Sequence, residues 1–415
     1  MGHAGSLYDF QYCGGIGISA NSKFCHFNWA GWHAVVDVAG YRDEKNQNMK
    51  KNLKVLIKKY LPKSVKVLIL NLREQILLTS VWLFSRSRFL ASLYYCFFSR
   101  KFSREHQAVL KGKWLYAHNK GMQKNTNTLL RRNIHRIEKG LIMRPRKSIF
   151  ALDYIRETVC AFNNAKNNKI HDLQELKWAS DVLTLYFSVV PQHSLDPDIK
   201  RIFDAGIERC SSYDGCGGNN TGLNIPYLFS DKIESKISSE QLLNLCLQRR
   251  SVRWYEEKPV VRSLLEQAVE IAALAPSACN RQPYQFHIAN DKEIAQKLMS
   301  VPLGTKGFSH NVPCAIVVTA DLAHYGSERD RHLIYIDSAL ASMQLMLALE
   351  TRGLSTCPIN WPDIEEREQK MASLLGLTDS VRPIMLIAVG YACPKGEIPF
   401  SHKKSAEELI RYVND

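Results

Sequence analysis

The chain lacks the short patterns that hold a metal or a dinucleotide. Its eleven cysteines include no C-x-x-C pair, Cys210 and Cys216 are the closest two, and no His/Cys group stands at zinc spacing. Zinc and disulfide chemistry are therefore not expected, and scattered free thiols fit a reducing, cytoplasmic setting. No G-x-G-x-x-G follows a strand-like run, which argues against a Rossmann dinucleotide domain. No uninterrupted apolar run reaches the roughly 18–20 residues of a spanning helix. The first residues show neither a charged n-region nor a cleavage site, so no secretory signal is read. No nucleic-acid motif is present, and nucleic acid is not an expected partner.

Acidic residues are scarce too, but only locally. The chain carries 55 Lys and Arg against 40 Asp and Glu, a net charge of +15. Residues 49–147 hold 24 of those cations and only Glu74, Glu105 and Glu138, a local +21, whereas residues 148–415 come to −5. Hydrophobic content of 45% over 415 residues is enough for two domains with a sizeable core. Composition changes at Met49, so residues 1–48 are read as a dispensable leader or Met49 as the natural start.

Residues 49–147 read as a basic arm. Over 49–104, the apolar clusters Val65–Leu70, Ile76–Phe84 and Phe89–Phe98 alternate with Arg73, Arg86, Arg88 and Arg100. That pattern suggests one or two basic amphipathic helices. They can lie peripherally on an anionic membrane surface, or they can pack their apolar faces on the rest of the protein with the cations in water. Leu129, Ile134, Ile137 and Leu141 then keep helical spacing, with Gly140 near a stop and Pro145 beyond it. Arg131, Arg132 and Arg136 on that helix are read as a solvated face, with a nucleotide phosphate as the alternative.

Residues 148–240 read as a helical domain and linker, with three helical patterns at 148–165, 173–190 and 197–210. The run SSYDGCGGNNTG breaks every period and reads as an exposed loop; it lacks the Lys-Ser/Thr ending of a phosphate-binding P-loop. A helix capped at Ser238 or Ser239 follows and delivers Arg249 and Arg250 at its end.

The chemistry concentrates in two loops about thirty residues apart. In RRSVRWY, Arg249, Arg250, Ser251 and Arg253 put three guanidinium groups and a hydroxyl within five residues, a set suited to a phosphate or an anionic ring system. In APSACNRQPYQF, Pro276 and Pro283 bracket a stretch that cannot be regular helix. Within it, Asn280 and Gln282 offer amides that donate and accept together. After the second loop, helical and strand-like runs alternate to the end of the chain, the pattern of an α+β layer structure.

Taken as a pair, these loops resemble those of the FMN-dependent nitroreductase family. The likeness covers residues 241–415, because GLSTCPIN and a final strand RPIMLIAVGYA followed by HKKSAEELI recur in the family's order. The resemblance implies a nitroreductase-like mixed, mostly antiparallel sheet flanked by helices and completed by a partner's tail. It implies that Arg249, Arg250, Ser251 and Arg253 hold the FMN phosphate, ribityl chain and ring edge, and that Asn280 and Gln282 serve the ring. Pro276 and Ser277 would line the flavin from the partner subunit. Pro358 and Ile359 would lead to Asn360 at flavin N5, and Lys403 or Lys404 would supply a last phosphate contact. The activity implied is transfer of reducing equivalents from NADH or NADPH through flavin N5 to a small acceptor, nitroaromatic or quinone-like. No side chain need act as catalytic nucleophile or base, and the implied assembly is a homodimer. The alternatives are a flavin-dependent dehydrogenase or oxidase of one metabolite, and a membrane-surface or partner adaptor that carries a flavin-binding domain.

Overall fold

The computed structural model describes residues 62–119, 127–167, 172–208 and 222–413. The leader, Met49 and nearly all of the glycine-rich loop lie outside them. The chain divides into two compact units between Phe98 and Ser99. That division falls inside the stretch read as one basic arm.

In the first unit, α1 (Lys63–Phe84) is followed by α2 (Arg88–Leu93) and a short π-helix, Tyr94–Phe98. At about 1.5 Å per residue, the 22 residues of α1 extend some 33 Å. The amphipathic expectation fails here. Val67, Leu68 and Ile69 are all exposed, as are Leu77 with Leu78 and Val81 through Leu83, so apolar side chains point round the whole circumference. By length and composition Val67–Phe84 can cross a membrane, and none of it is buried. A search for uninterrupted apolar runs misses it because Arg73 and Glu74 sit at mid-helix. Beyond its end, Phe84, Tyr94 and Phe98 cluster at 5.4–6.2 Å between ring centroids. The Arg86 guanidinium lies 3.7 Å from the Trp82 ring centroid.

The second unit opens with α3 (Ser103–Asn119), which runs close against the turn Leu322–His324. Gly112 permits that approach, since a Cβ there would stand 2.7 Å from the Leu322 backbone. Next come α4 (Thr128–Leu141), α5 (Ile155–Asn167), α6 (Leu173–Val189) and α7 (Pro197–Glu208). The Asn127 side chain accepts from Leu130 N–H at 3.0 Å and so caps α4. Leu130, Ile134, Ile137 and Leu141 form a stripe that buries against Val159, Phe162, Val182, Leu183, Tyr186 and Phe203. This is a self-contained helical core. The α4 cations are not simply solvated: Arg136 stacks 3.6 Å over the Tyr154 ring, and Arg131 reaches other protein groups.

Ser239–Gln248 forms α8, followed by α9 (Arg262–Ala272), α10 (Lys292–Met299), α11 (Leu333–Glu350), α12 (Glu365–Leu375) and α13 (Ala406–Leu409). Among them lie β1 (Tyr284–Ala289), β2 (Cys314–Asp321), β3 (Ser355–Asn360) and β4 (Val381–Gly390), in sheet order β1-β2-β4-β3. All three strand pairings are antiparallel. Among the described residues, the bridge Ser251–Thr356 is parallel. Ile316, Val318, Ile387 and Val389 face α9 and α11 on one side, while Ala315, Val317, Leu386 and Ala388 face α10 and α12 on the other. With both faces covered, β2 is buried from Cys314 through Ala320 instead of alternating. α11 is preceded by a 3₁₀ turn, Glu328–Asp330. α12 ends on Gly376, whose φ of +65° closes the helix with a left-handed residue.

Candidate functional site

The first loop is delivered by α8. Ser238 and Gln241 form a reciprocal capping box: the Ser238 hydroxyl accepts from Gln241 N–H at 3.2 Å, and Ser238 N–H donates to Gln241 Oε1 at 2.9 Å. The helix ends at Arg249, and the chain then runs extended beside β3, where Val252 N–H donates to Thr356 O at 3.0 Å. Buried Val252 and Tyr255 anchor this segment in the face lined by Ala315 and Leu386. Asn311 clamps it, donating through Nδ2 to Arg253 O at 2.8 Å. Ser251 and Arg253 are thereby fixed beside the strand that leads to Pro358, Ile359 and Asn360.

None of the ion pairs among the described residues involves Arg249, Arg250 or Arg253. Arg250 donates to Pro399 O at 2.7 Å and to Phe400 O, tying the C-terminal segment to the loop. Arg253 donates to Ser251 O at 3.2 Å and lies 5.7 Å from the Phe308 ring centroid. Arg249 Nε and Thr356 Oγ1 are buried without a hydrogen-bond partner. Beside Arg249, burial raises the Glu350 carboxyl above its usual range, and Gln248 and Arg249 oppose that rise. Lys403 and Lys404 are exposed on the segment before α13.

The second loop has an unusual backbone. Cys279, Asn280 and Gln282 have φ of +53°, +53° and +47°, in the left-handed region that costs a non-glycine residue about 1–3 kcal/mol. Several contacts hold it. The Ser277 hydroxyl accepts from Gln282 N–H at 3.2 Å, and Asp337 accepts from Ala278 N–H at 3.0 Å and from the Tyr325 hydroxyl at 3.1 Å. Burial raises the Asp337 carboxyl; those two hydrogen bonds and Arg281 pull it back down. Arg281 is itself buried, 4.9 Å from the Tyr325 ring centroid. The Gln282 amide is already committed, donating through Nε2 to Ala273 O at 2.8 Å and accepting through Oε1 from Arg131 at 2.7 Å. Pro276 is exposed, and Ser277 and Asn280 are half-buried.

The two loops are held by different parts of the domain. The first is anchored on β3 and the C-terminal segment, over one face of the sheet. The second follows α9 and is held by α11 and α4, on the side of the other face. Sequence reading overlooked Thr356, Asn311, Asp337, Glu175 and the role of Arg131. Asp337 had a signal, as an acid in the first turns of a mainly apolar helix. The others show nothing distinctive until the chain is folded.

A model of the nitroreductase family matches residues 246–304 and 295–391. A relative from Archaeoglobus fulgidus, named "Putative NADH dehydrogenase/NAD(P)H nitroreductase", is 30% identical over 163 residues, covering 39% of this chain and 90% of that one. The NADH dehydrogenase of Thermus thermophilus is 29% identical over 195 residues, covering 40% and 92%. A solved structure of a nitroreductase family protein from Streptococcus pneumoniae aligns with a TM-score of 0.36 at 25% identity, over 41% of this chain and 99% of its own. The relatives are thus covered almost completely by the part of this chain that carries both loops and the sheet, and that part makes the chain a member of the nitroreductase family of oxidoreductases.

Proposed function

We propose that residues 241–415 bind FMN and form an NAD(P)H-dependent oxidoreductase that reduces a small electron acceptor of the nitroaromatic or quinone type. The observation that carries this reading is the first loop. Three guanidinium groups stand there outside every ion pair among the described residues, with Glu350 near Arg249 but not bonded to it, and buried Arg249 Nε and Thr356 Oγ1 are left unsatisfied. A phosphate and a hydroxylated chain would meet those demands, because a buried donor with no partner costs about 1–3 kcal/mol. In this proposal Arg249, Arg250 and Ser251 hold the phosphate and ribityl chain, with Lys403 or Lys404 adding an outer cation. Arg253 sits at the ring edge, where a cation favours the negative charge of a reduced ring. FMN, when bound, supplies the hydride and electron chemistry.

The second loop completes the site from a partner subunit. Because the loops belong to opposite sides of one sheet, a homodimer that presents Pro276, Ser277 and Asn280 of one chain to the first loop of the other satisfies both. Gln282 takes a different role from Asn280 in this arrangement. Its amide is spent on Arg131 and Ala273, so it shapes the loop and leaves the ring to Asn280. Arg253→Glu tests the reading: the parent should take up FMN, turn yellow and be bleached by NADH or NADPH without oxygen, and the variant should lose at least about tenfold in FMN affinity, as expected for a charge-assisted contact. A parent that never holds FMN rules the reading out.

We also propose that α1 holds this cytoplasmic enzyme against an anionic membrane. The support is its exposed apolar circumference, the cations Arg86 and Arg88 just beyond it, and the aromatic cluster around Phe84. Aromatic and cationic residues of this kind favour the lipid–water interface.

A further inference from the structure

We infer that Arg131, on the helical layer outside the region matched by the family model, is a positioning residue for the cofactor loop. Three nitrogens of one guanidinium serve three acceptors: Nη1 donates to Glu175 Oε2 at 3.0 Å, Nε to Asn280 O at 2.9 Å, and Nη2 to Gln282 Oε1 at 2.7 Å. Two of those acceptors belong to residues in the left-handed conformation, either side of Arg281. Held at both points, Asn280 and Gln282 cannot relax to a more favourable backbone without giving up a charge-assisted hydrogen bond.

Glu175 sets the direction of the fork. It is 3% exposed, and its other carboxylate oxygen accepts from Asn127 N–H at 3.0 Å, at the start of α4. The Trp178 ring lies 5.7 Å from the Arg131 guanidinium. The helical layer therefore presents a rigid, oriented cation to the loop. A planar guanidinium can reach all three acceptors at once, which the point charge of a lysine cannot. Arg131 thus links a domain with its own core to the backbone that displays Asn280.

The consequence for the cofactor rests on the FMN reading; the hold on the loop does not. The test uses the full chain with Arg131→Gln, Arg131→Lys and Glu175→Gln. Without cofactor, hydrogen exchange of the amides between Pro276 and Pro283 should quicken about tenfold or more in Arg131→Gln. Arg131→Lys, which keeps the charge beside Glu175 but loses the fork, should stay folded and also exchange faster. Glu175→Gln should move the same way by less. FMN dissociation constants should rise about tenfold in Arg131→Gln. Arg253→Gln is the control that weakens FMN and leaves exchange in this segment alone. Parent-like exchange in both Arg131 variants overturns the inference, as does faster exchange with parent-like FMN affinity. A parent that takes up no FMN while its loop still responds to Arg131→Gln would defeat the flavin reading and support the hold on the loop.

Discussion

Asp337 is buried, yet it is the acceptor for Ala278 N–H at the head of the second loop, the one proposed to face FMN. Burial raises its pKa above the unfolded value, so folding disfavours the ionised form, and its effect on stability improves as pH falls through the folded pKa. Its effect on the loop has the opposite sign, because protonation replaces a charged acceptor by a neutral, weaker one. FMN affinity should therefore fall on acidification before the pH reaches the ordinary carboxylate range, without a matching drop in melting temperature from this group. Asp337→Asn should flatten that part of the profile and weaken FMN at neutral pH by about 1–2 kcal/mol. Fluorescence titrations across the range would show it, and an unchanged pH profile in the variant would refute it. At this scale the sequence was informative where chemistry is local. Arg249, Arg250, Ser251 and Arg253 stand on one short segment and are visible as neighbours, and the two prolines mark the second loop as irregular. The left-handed backbone at Cys279, Asn280 and Gln282 was not visible, because it depends on Arg131 and Asp337, distant in sequence.

Elements were legible where one face of a helix packs. The stripe in α4 and the serine cap of α8 predict helices that the structure contains, since burial and local hydrogen bonding both act within a turn or two. α1 was misread for a related reason: clusters separated by cations look amphipathic along the sequence, but consecutive exposed apolar residues spread round the axis. The proposed membrane role of α1 changes in kind with that finding. Attachment by cations alone would be released by salt as screening shortens the reach of charge, whereas burial of exposed leucines contributes about 25 cal/mol per Å² regardless of salt. The full chain should float with anionic vesicles, retain part of that binding at high salt, and lose it when residues 62–98 are deleted. Equal flotation of the deleted form would remove the membrane role.

For the whole molecule, an α+β layer structure followed from the alternation of strand and helix and the helix-flanked, mostly antiparallel sheet from the family resemblance, but nothing in the sequence placed the helical layer against the loop. The second unit leaves apolar side chains exposed that the proposed homodimer would cover. Ile336, Leu340 and Met343 stand out from α11 while Leu345 and Leu349 of the same helix are buried, and Leu243 and Leu247 are exposed on α8. The segment after β4 adds Phe400, Leu409, Tyr412 and Val413, all exposed, and Arg250 fastens its start to the first loop. An obligate dimer of this kind buries on the order of 2,000 Å² or more, and it would cover these residues while bringing the second loop of one chain to the first loop of the other. Light scattering should give twice the chain mass. Removing residues 397–413 should shift the chain toward monomer and weaken FMN together, because in the proposed dimer the tail would join the subunits, and Arg250 ties it to the first loop. A monomeric full chain that binds FMN as tightly as any dimer would show that one chain suffices, and the two-loop site would then have to be assembled within a single subunit.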